Sequence, residues 1–210
     1  MRRTARIAML GDSSAAVREV WLACHGYGQL ASRFLSRLDP AQAEGRLIVA
    51  PEALNRFYLD GSIGPHGPDS AVGATWMTRE DRLTEIEDYV AYLDAVIDDF
   101  AGASVAGLVA FGFSQGVATI CRWASRTQRP IRDLVLWSGF LPPELEPRSG
   151  LFGTARLTLV YGARDAYAGR DRVDAQSERL RTGGLDHRVI EYDGGHDIDA
   201  GTLRALAAEL

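Results

Sequence analysis

The pentapeptide Gly112-Phe113-Ser114-Gln115-Gly116 constrains this chain more than any other stretch. It fits the G-x-S-x-G pattern, in which a serine sits on a sharp turn between a strand and a helix. Two glycines and a serine also meet by chance, and an ordinary strand-to-helix turn with an N-capping serine would look the same. The flanks favour the sharper reading. Val105 to Phe111 is a continuous apolar run, the pattern of a buried strand. Val117, Ile120, Cys121 and Ala124 then fall at helical spacing. A turn this tight brings backbone close to the serine, so its flanking positions need residues without a Cβ. Ser114 is the candidate nucleophile.

The segments before the elbow read as follows. Arg6 to Leu10 suits a short edge strand, and Val17 to Cys24 a stronger one. The second runs into His25-Gly26-Tyr27-Gly28. Oxyanion holes of α/β-hydrolases take one N–H from such a turn and one from the residue after the nucleophile. Here Tyr27 or Gly28 would supply the first and Gln115 the second. His25 is read as structural. Ala31, Phe34, Leu35 and Leu38 make a short amphipathic helix, and Arg46 to Ala50 a strand ending at Pro51.

Pro51 to Met77 has no periodicity. It holds Gly61, Gly64, Gly67 and Gly73, three prolines, and the aromatics Phe57, Tyr58 and Trp76. Long ordered loops in compact domains usually carry function. Phe57, Tyr58, Trp76 and Met77 are therefore the expected substrate-binding surfaces. His66 has no companions at metal-ligand spacing, and no metal is expected. Thr78-Arg79-Glu80-Asp81 resembles a capping box opening a helix with Leu83, Ile86, Val90, Leu93, Ile97 and Phe100 as its stripe. The carboxylates on its other faces read as solvated.

Beyond the elbow, Ile131 to Trp137, Leu157 to Tyr161 and His187 to Tyr192 read as strands, and Thr202 to Leu210 as a closing helix. Strands alternating with helices predict an α/β fold with a mostly parallel sheet and helices on both faces, as one domain over 1–210. The connection from Ser138 to Ala155 is too short for a helical cap.

Ser114, Asp165 and His196 each follow a predicted strand, in the chain order nucleophile, acid, base of α/β-hydrolases. Parallel strands place their C-terminal ends on one edge of the sheet, where ligands bind. A neutral serine is a poor nucleophile, and an imidazole can take its proton. Asp165 would orient the imidazole. Asp193, Asp197 and Asp199 are rival acids, but Asp165 has a strand end of its own.

A net charge of −5 argues against nonspecific binding to nucleic acid or acidic membranes. All 23 basic residues are arginine. Cys24 and Cys121 read as reduced core thiols. The run after Arg2-Arg3 is broken at Gly11-Asp12-Ser13-Ser14, too early for a signal-peptide core, so a cytoplasmic protein is expected.

His25-Gly26-Tyr27-Gly28, Gly112-Phe113-Ser114-Gln115-Gly116, the Gly162…Asp165 turn and Gly195-His196 together resemble the phospholipase/carboxylesterase family of α/β-hydrolases. That family includes acyl-protein thioesterases and small bacterial carboxylesterases. The resemblance spans roughly residues 17 to 205. It implies a lidless α/β-hydrolase acting on a small-molecule ester or thioester without a cofactor, with Trp76 lining the acyl groove. Gln29, Val117, Met77-Thr78 and Ala166-Tyr167 depart from the thioesterase pattern and favour a small carboxylesterase over a thioesterase or lysophospholipase. A peptidase, a lactonase and a catalytically silent binding protein stay open, as does homodimerisation.

Overall fold

A computed structural model describes residues 4–13, 17–60, 65–100 and 107–210. Arg2-Arg3, Ser14, Gly61, Gly64, and Val105 and Ala106 of the predicted strand lie outside them. Seven strands form the main sheet: β1 (Ile7–Leu10), β2 (Glu19–Cys24), β3 (Arg46–Pro51), β6 (Gly107–Phe113), β7 (Asp133–Trp137), β8 (Arg156–Gly162) and β9 (His187–Tyr192). Their order is β1-β3-β2-β6-β7-β8-β9. Only β1 runs antiparallel to its neighbour.

Each central strand is apolar on both faces because helices cover both. Val20, Leu22 and Cys24 of β2 face one core cluster, and Trp21 and Ala23 the other. This is the two-residue alternation of a strand. The first cluster packs against α2 (Arg82–Phe100), α3 (Gln115–Ala124) and Leu180 of α4 (Arg170–Thr182). The second packs against α1 (Ala31–Leu35), its short 3₁₀ continuation through Ala41, and α5 (Ala200–Glu209). Cys24 and Cys121 are buried free thiols. Among the described residues no helix is long and apolar enough to cross a membrane.

Two local expectations are corrected, and one helix is added. The aperiodic segment after Pro51 contains an antiparallel ribbon, β4 (Asn55–Tyr58) with β5 (Val72–Thr75). Strands of four residues are too short to show a period. The helix predicted from Thr78 starts at Arg82, after Asp81 at φ 46°. The acid that bonds the Thr78 amide is Glu85, at 2.6 Å, so no capping box forms, and Leu83 faces solvent. Helix α4 has no counterpart in the sequence reading. It buries Val173 and Leu180 beside the polar Gln176 and Ser177, so it lacks an apolar stripe.

Candidate active site

Ser114 is the single residue between the end of β6 at Phe113 and the start of α3 at Gln115. Its backbone lies at φ 54° and ψ −117°, a strained conformation for a residue with a side chain. Neighbouring groups hold it there: its amide donates to the Trp137 carbonyl at 2.9 Å, and its carbonyl accepts from the Val117 amide at 3.0 Å. The glycines are steric necessities. A Cβ at position 112 would stand 2.6 Å from the Gly116 carbonyl oxygen, and one at position 116 would collide with the Cys24 carbonyl. The serine side chain makes no capping bond to the helix. It is left for other partners.

The partner is His196, whose Nε2 lies 2.9 Å from Ser114 Oγ. The opposite nitrogen, Nδ1, lies 2.8 Å from Asp165 Oδ2. Burial alone would raise the Asp165 pKa. Hydrogen bonds from the Ala168 amide, His196 and the Tyr167 amide outweigh it and hold the carboxyl below the ordinary aspartate value. An ionised carboxylate only accepts, so Nδ1 must carry the ring proton. Nε2 then presents its lone pair to the serine hydroxyl. Such a series can draw a proton from Ser114 and return it.

The loops bearing these groups are fixed from several sides. The Tyr167 and Ala168 amides bind Asp165 Oδ1 at 2.8 and 2.9 Å. The Tyr192 hydroxyl donates to the carbonyls of Gly195 and Asp197, and the Trp137 indole also donates to Asp197. The rival acids are occupied elsewhere. Asp193 pairs with Arg164, Asp197 with Arg37, and Asp199 caps α5.

The His25–Gly28 turn lies against the elbow, since a Cβ at Gly26 would be 3.2 Å from Ser114 Cβ. The Gly28 amide donates to Ala74 at 2.9 Å, and the Gly26 amide to Gln29 Oε1 at 2.8 Å. Among the described residues, the Tyr27 and Gln115 amides have no acceptor. That leaves Tyr27, not Gly28, to donate from this turn. His25 is fully buried. Its Nε2 accepts from the Ala53 amide at 3.0 Å, so Nδ1 holds the proton donated to Gly26 at 2.8 Å. Burial lowers its pKa.

A cavity of about 550 Å³ opens at Ser114 and His196. Its apolar walls are Ala118, Phe140, Leu141, Pro142 and Pro143, with Tyr27 and Tyr167. The expectation that Phe57, Tyr58, Trp76 and Met77 form those walls is corrected: none of them lines it. Trp76 is only 2% exposed, its indole N–H bonded to the His25 carbonyl. Phe57 packs its ring on Tyr27, 5.1 Å between centroids, and Tyr58 stacks on His66. Met77 accepts at its carbonyl from the Gln115 side chain.

Phe140, Leu141, Pro142 and Pro143 come from the β7–β8 connection, which lacks a helix. Helix α4 tethers it. Gln176 accepts from the Leu141 amide at 2.6 Å, and Arg179 donates to the carbonyls of Pro143 and Leu145. From sequence that stretch shows only that it is too short for a helical cap. Its role as a wall depended on α4, which carried no signal.

The fold and this hydroxyl–imidazole–carboxylate series define the class of serine α/β-hydrolases. A family model described as serine hydrolase (FSH1) matches residues 19–200, and the chain belongs to that family. Among solved structures it is similar to esterase PE8, at 21% identity over 98% of this chain and 97% of that one, with a TM-score of 0.75. It is also similar to Zea mays acyl-protein thioesterase 2 (14%, 99% and 97%, TM-score 0.71) and to a phospholipase/carboxylesterase from Dyadobacter fermentans (16%, 99% and 97%, TM-score 0.66). These identities speak for the fold, and at that level the resemblance read from the motifs is borne out. No curated protein matches the sequence.

Proposed function

We propose that this serine hydrolase cleaves carboxylic esters of short to medium acyl chain through an acyl-enzyme intermediate. The observation that carries the reading is the series from Ser114 through His196 to Asp165, at 2.9 and 2.8 Å, at the mouth of a largely apolar cavity.

Ser114 Oγ attacks the ester carbonyl as its proton passes to His196 Nε2. Asp165 stabilises the imidazolium that forms. The negative charge that develops on the carbonyl oxygen is met by the Tyr27 and Gln115 amides. Collapse expels the alcohol, which takes the proton from Nε2. A water then repeats the sequence on the acyl-serine, releasing the carboxylic acid and restoring the hydroxyl.

Acyl preference follows from the walls. Each methylene that leaves water contributes about 0.8 kcal/mol. A cavity of about 550 Å³ shelters only a limited chain. The test is a panel of 4-nitrophenyl esters of increasing acyl length. The expected profile of kcat/KM rises over short chains and then levels or falls. No ester turnover, with Ser114 still labelled by a fluorophosphonate, would overturn the reading.

A further inference from the structure

The same cavity carries two guanidinium groups, Arg122 and Arg172, and among the described residues no carboxylate lines it. The chain's net charge is −5, so composition does not explain this local sign. Arg122 is buried in the wall. Its Nε donates to Glu144 at 2.7 Å, and the same carboxylate oxygen takes Arg82 at 2.7 Å. Two cations thus share one anion.

Arg172 is different. It stands in the first turn of α4, with its guanidinium carbon 4.6 Å from the centre of the Phe140 ring. One nitrogen donates to the Tyr167 carbonyl at 2.5 Å. Among the described residues no carboxylate pairs with it. A guanidinium has five N–H donors in a planar fork suited to a carboxylate. The ring beneath and the carbonyl beside it orient that fork at the rim of an apolar groove. Apolar walls focus the field of an uncompensated charge onto whatever enters.

We propose that Arg172 is an anion-recognition residue. Resting on the ester-hydrolase reading, we infer that the favoured substrates are esters bearing a carboxylate separated from the scissile carbonyl by hydrocarbon. The hydrocarbon lies against Phe140, Leu141 and Pro142, and the carboxylate meets Arg172. Among the described residues lining the cavity, the one guanidinium fork free of a carboxylate, that of Arg172, matches a carboxylate monoanion.

The test compares esters that carry or lack a carboxylate, each kcat/KM divided by that ester's own rate constant for hydroxide-catalysed hydrolysis. One arm uses 4-nitrophenyl monoesters of adipic and suberic acids against their methyl-capped counterparts. The other uses the butyrate ester of 4-hydroxybenzoate against that of methyl 4-hydroxybenzoate. The wild-type enzyme is expected to favour the anionic member of at least one arm roughly fivefold in this normalised kcat/KM, as for a partly exposed ion pair. The preference should shrink as salt is raised. Arg172→Gln should bring the anionic-to-neutral ratio to about one, Arg172→Lys should keep part of it, and Arg172→Glu should invert it. Both esters meet the same enzyme, so the ratio is insensitive to a loss of folded protein. Preference on either arm supports the proposal and says on which side the anion sits. A ratio of one on both arms in the wild type, or an unchanged ratio in Arg172→Gln, overturns it while leaving the ester reading standing. Failure to hydrolyse any ester, charged or neutral, removes both.

Discussion

The indole N–H of Trp76 donates to the carbonyl oxygen of His25 at 2.8 Å. Neither side chain reaches the candidate cavity. Together they brace the turn that presents the Tyr27 amide. His25 grips Ala53 with one ring nitrogen and Gly26 with the other, while Trp76 packs beneath with 5.1 Å between ring centroids. Gln115 extends the brace from the elbow, accepting from the Trp76 amide at 3.2 Å and donating to Thr75 at 2.9 Å.

Trp76→Ala is therefore expected to act on stability. Truncating a buried tryptophan costs about 3–5 kcal/mol. Denaturant unfolding should show a loss of that order. Acyl-chain preference among the molecules that remain folded should change little. A fully stable variant with altered chain-length preference would contradict this placement.

His25 makes stability depend on pH. Burial lowers its folded pKa below the ordinary 6.5. Between the folded value and 6.5 the unfolded chain binds the extra proton, so stability falls as pH falls through that window and is fully present above it. His25→Gln should be less stable at neutral pH, having lost a fitted ring. Its stability should also vary less between pH 6.5 and the folded value. Urea midpoints measured across that range test both statements.

Ser114→Ala should fold normally, lose fluorophosphonate labelling and lose about four orders of magnitude or more in ester kcat. Its melting temperature should match or exceed that of the wild type. Strain at φ 54° belongs to the backbone, so alanine keeps it, and only the hydroxyl is lost.

Asp165→Asn should lower kcat by roughly 10³–10⁴, because an amide partner favours the wrong imidazole tautomer. Asp193→Asn should leave kcat near the wild-type value, since Asp193 is an exposed partner of Arg164. The acid limb of the rate profile should not follow Asp165 itself, whose carboxyl is held below the ordinary aspartate range. Steady-state rates against pH for the three enzymes check the assignment.

Phe140→Ala should reduce the gain in kcat/KM per added methylene, since its ring stands where an acyl chain would leave water. Tyr58→Ala, on the outer ribbon, should not. Slopes of log kcat/KM against acyl length, compared between the two variants, give the result.

The elbow, the parallel sheet and the Ser114, Asp165 and His196 positions were legible in the sequence. Ser114 and Asp165 follow strands buried on both faces, whose apolar runs are closed by glycine, and His196 follows the edge strand β9, whose end is marked by Asp193-Gly194-Gly195. Even partly exposed β9 keeps Tyr192 inward before its turn. The cavity walls were not legible. Aromatic content pointed to Trp76 and Tyr58, but a large ring fills a core or an outer ribbon as readily as a groove. The segment that does form the wall is held by Gln176 and Arg179, polar residues on a helix whose only apolar members are single and widely spaced. Hydrophobic periodicity registers neither the helix nor the tether.

That tether has a practical consequence. The Phe140–Pro143 wall is joined to α4 through side-chain bonds to its backbone, the Leu141 amide donating and the Pro143 carbonyl accepting, which any replacement without proline at position 141 could also make. The elbow, the Asp165 turn and the His196 loop are fixed by separate contacts. Residues 140–143 thus form a replaceable cassette. A library of loop sequences grafted there, with Gln176 and Arg179 retained, should sample many groove shapes on one unaltered reaction centre.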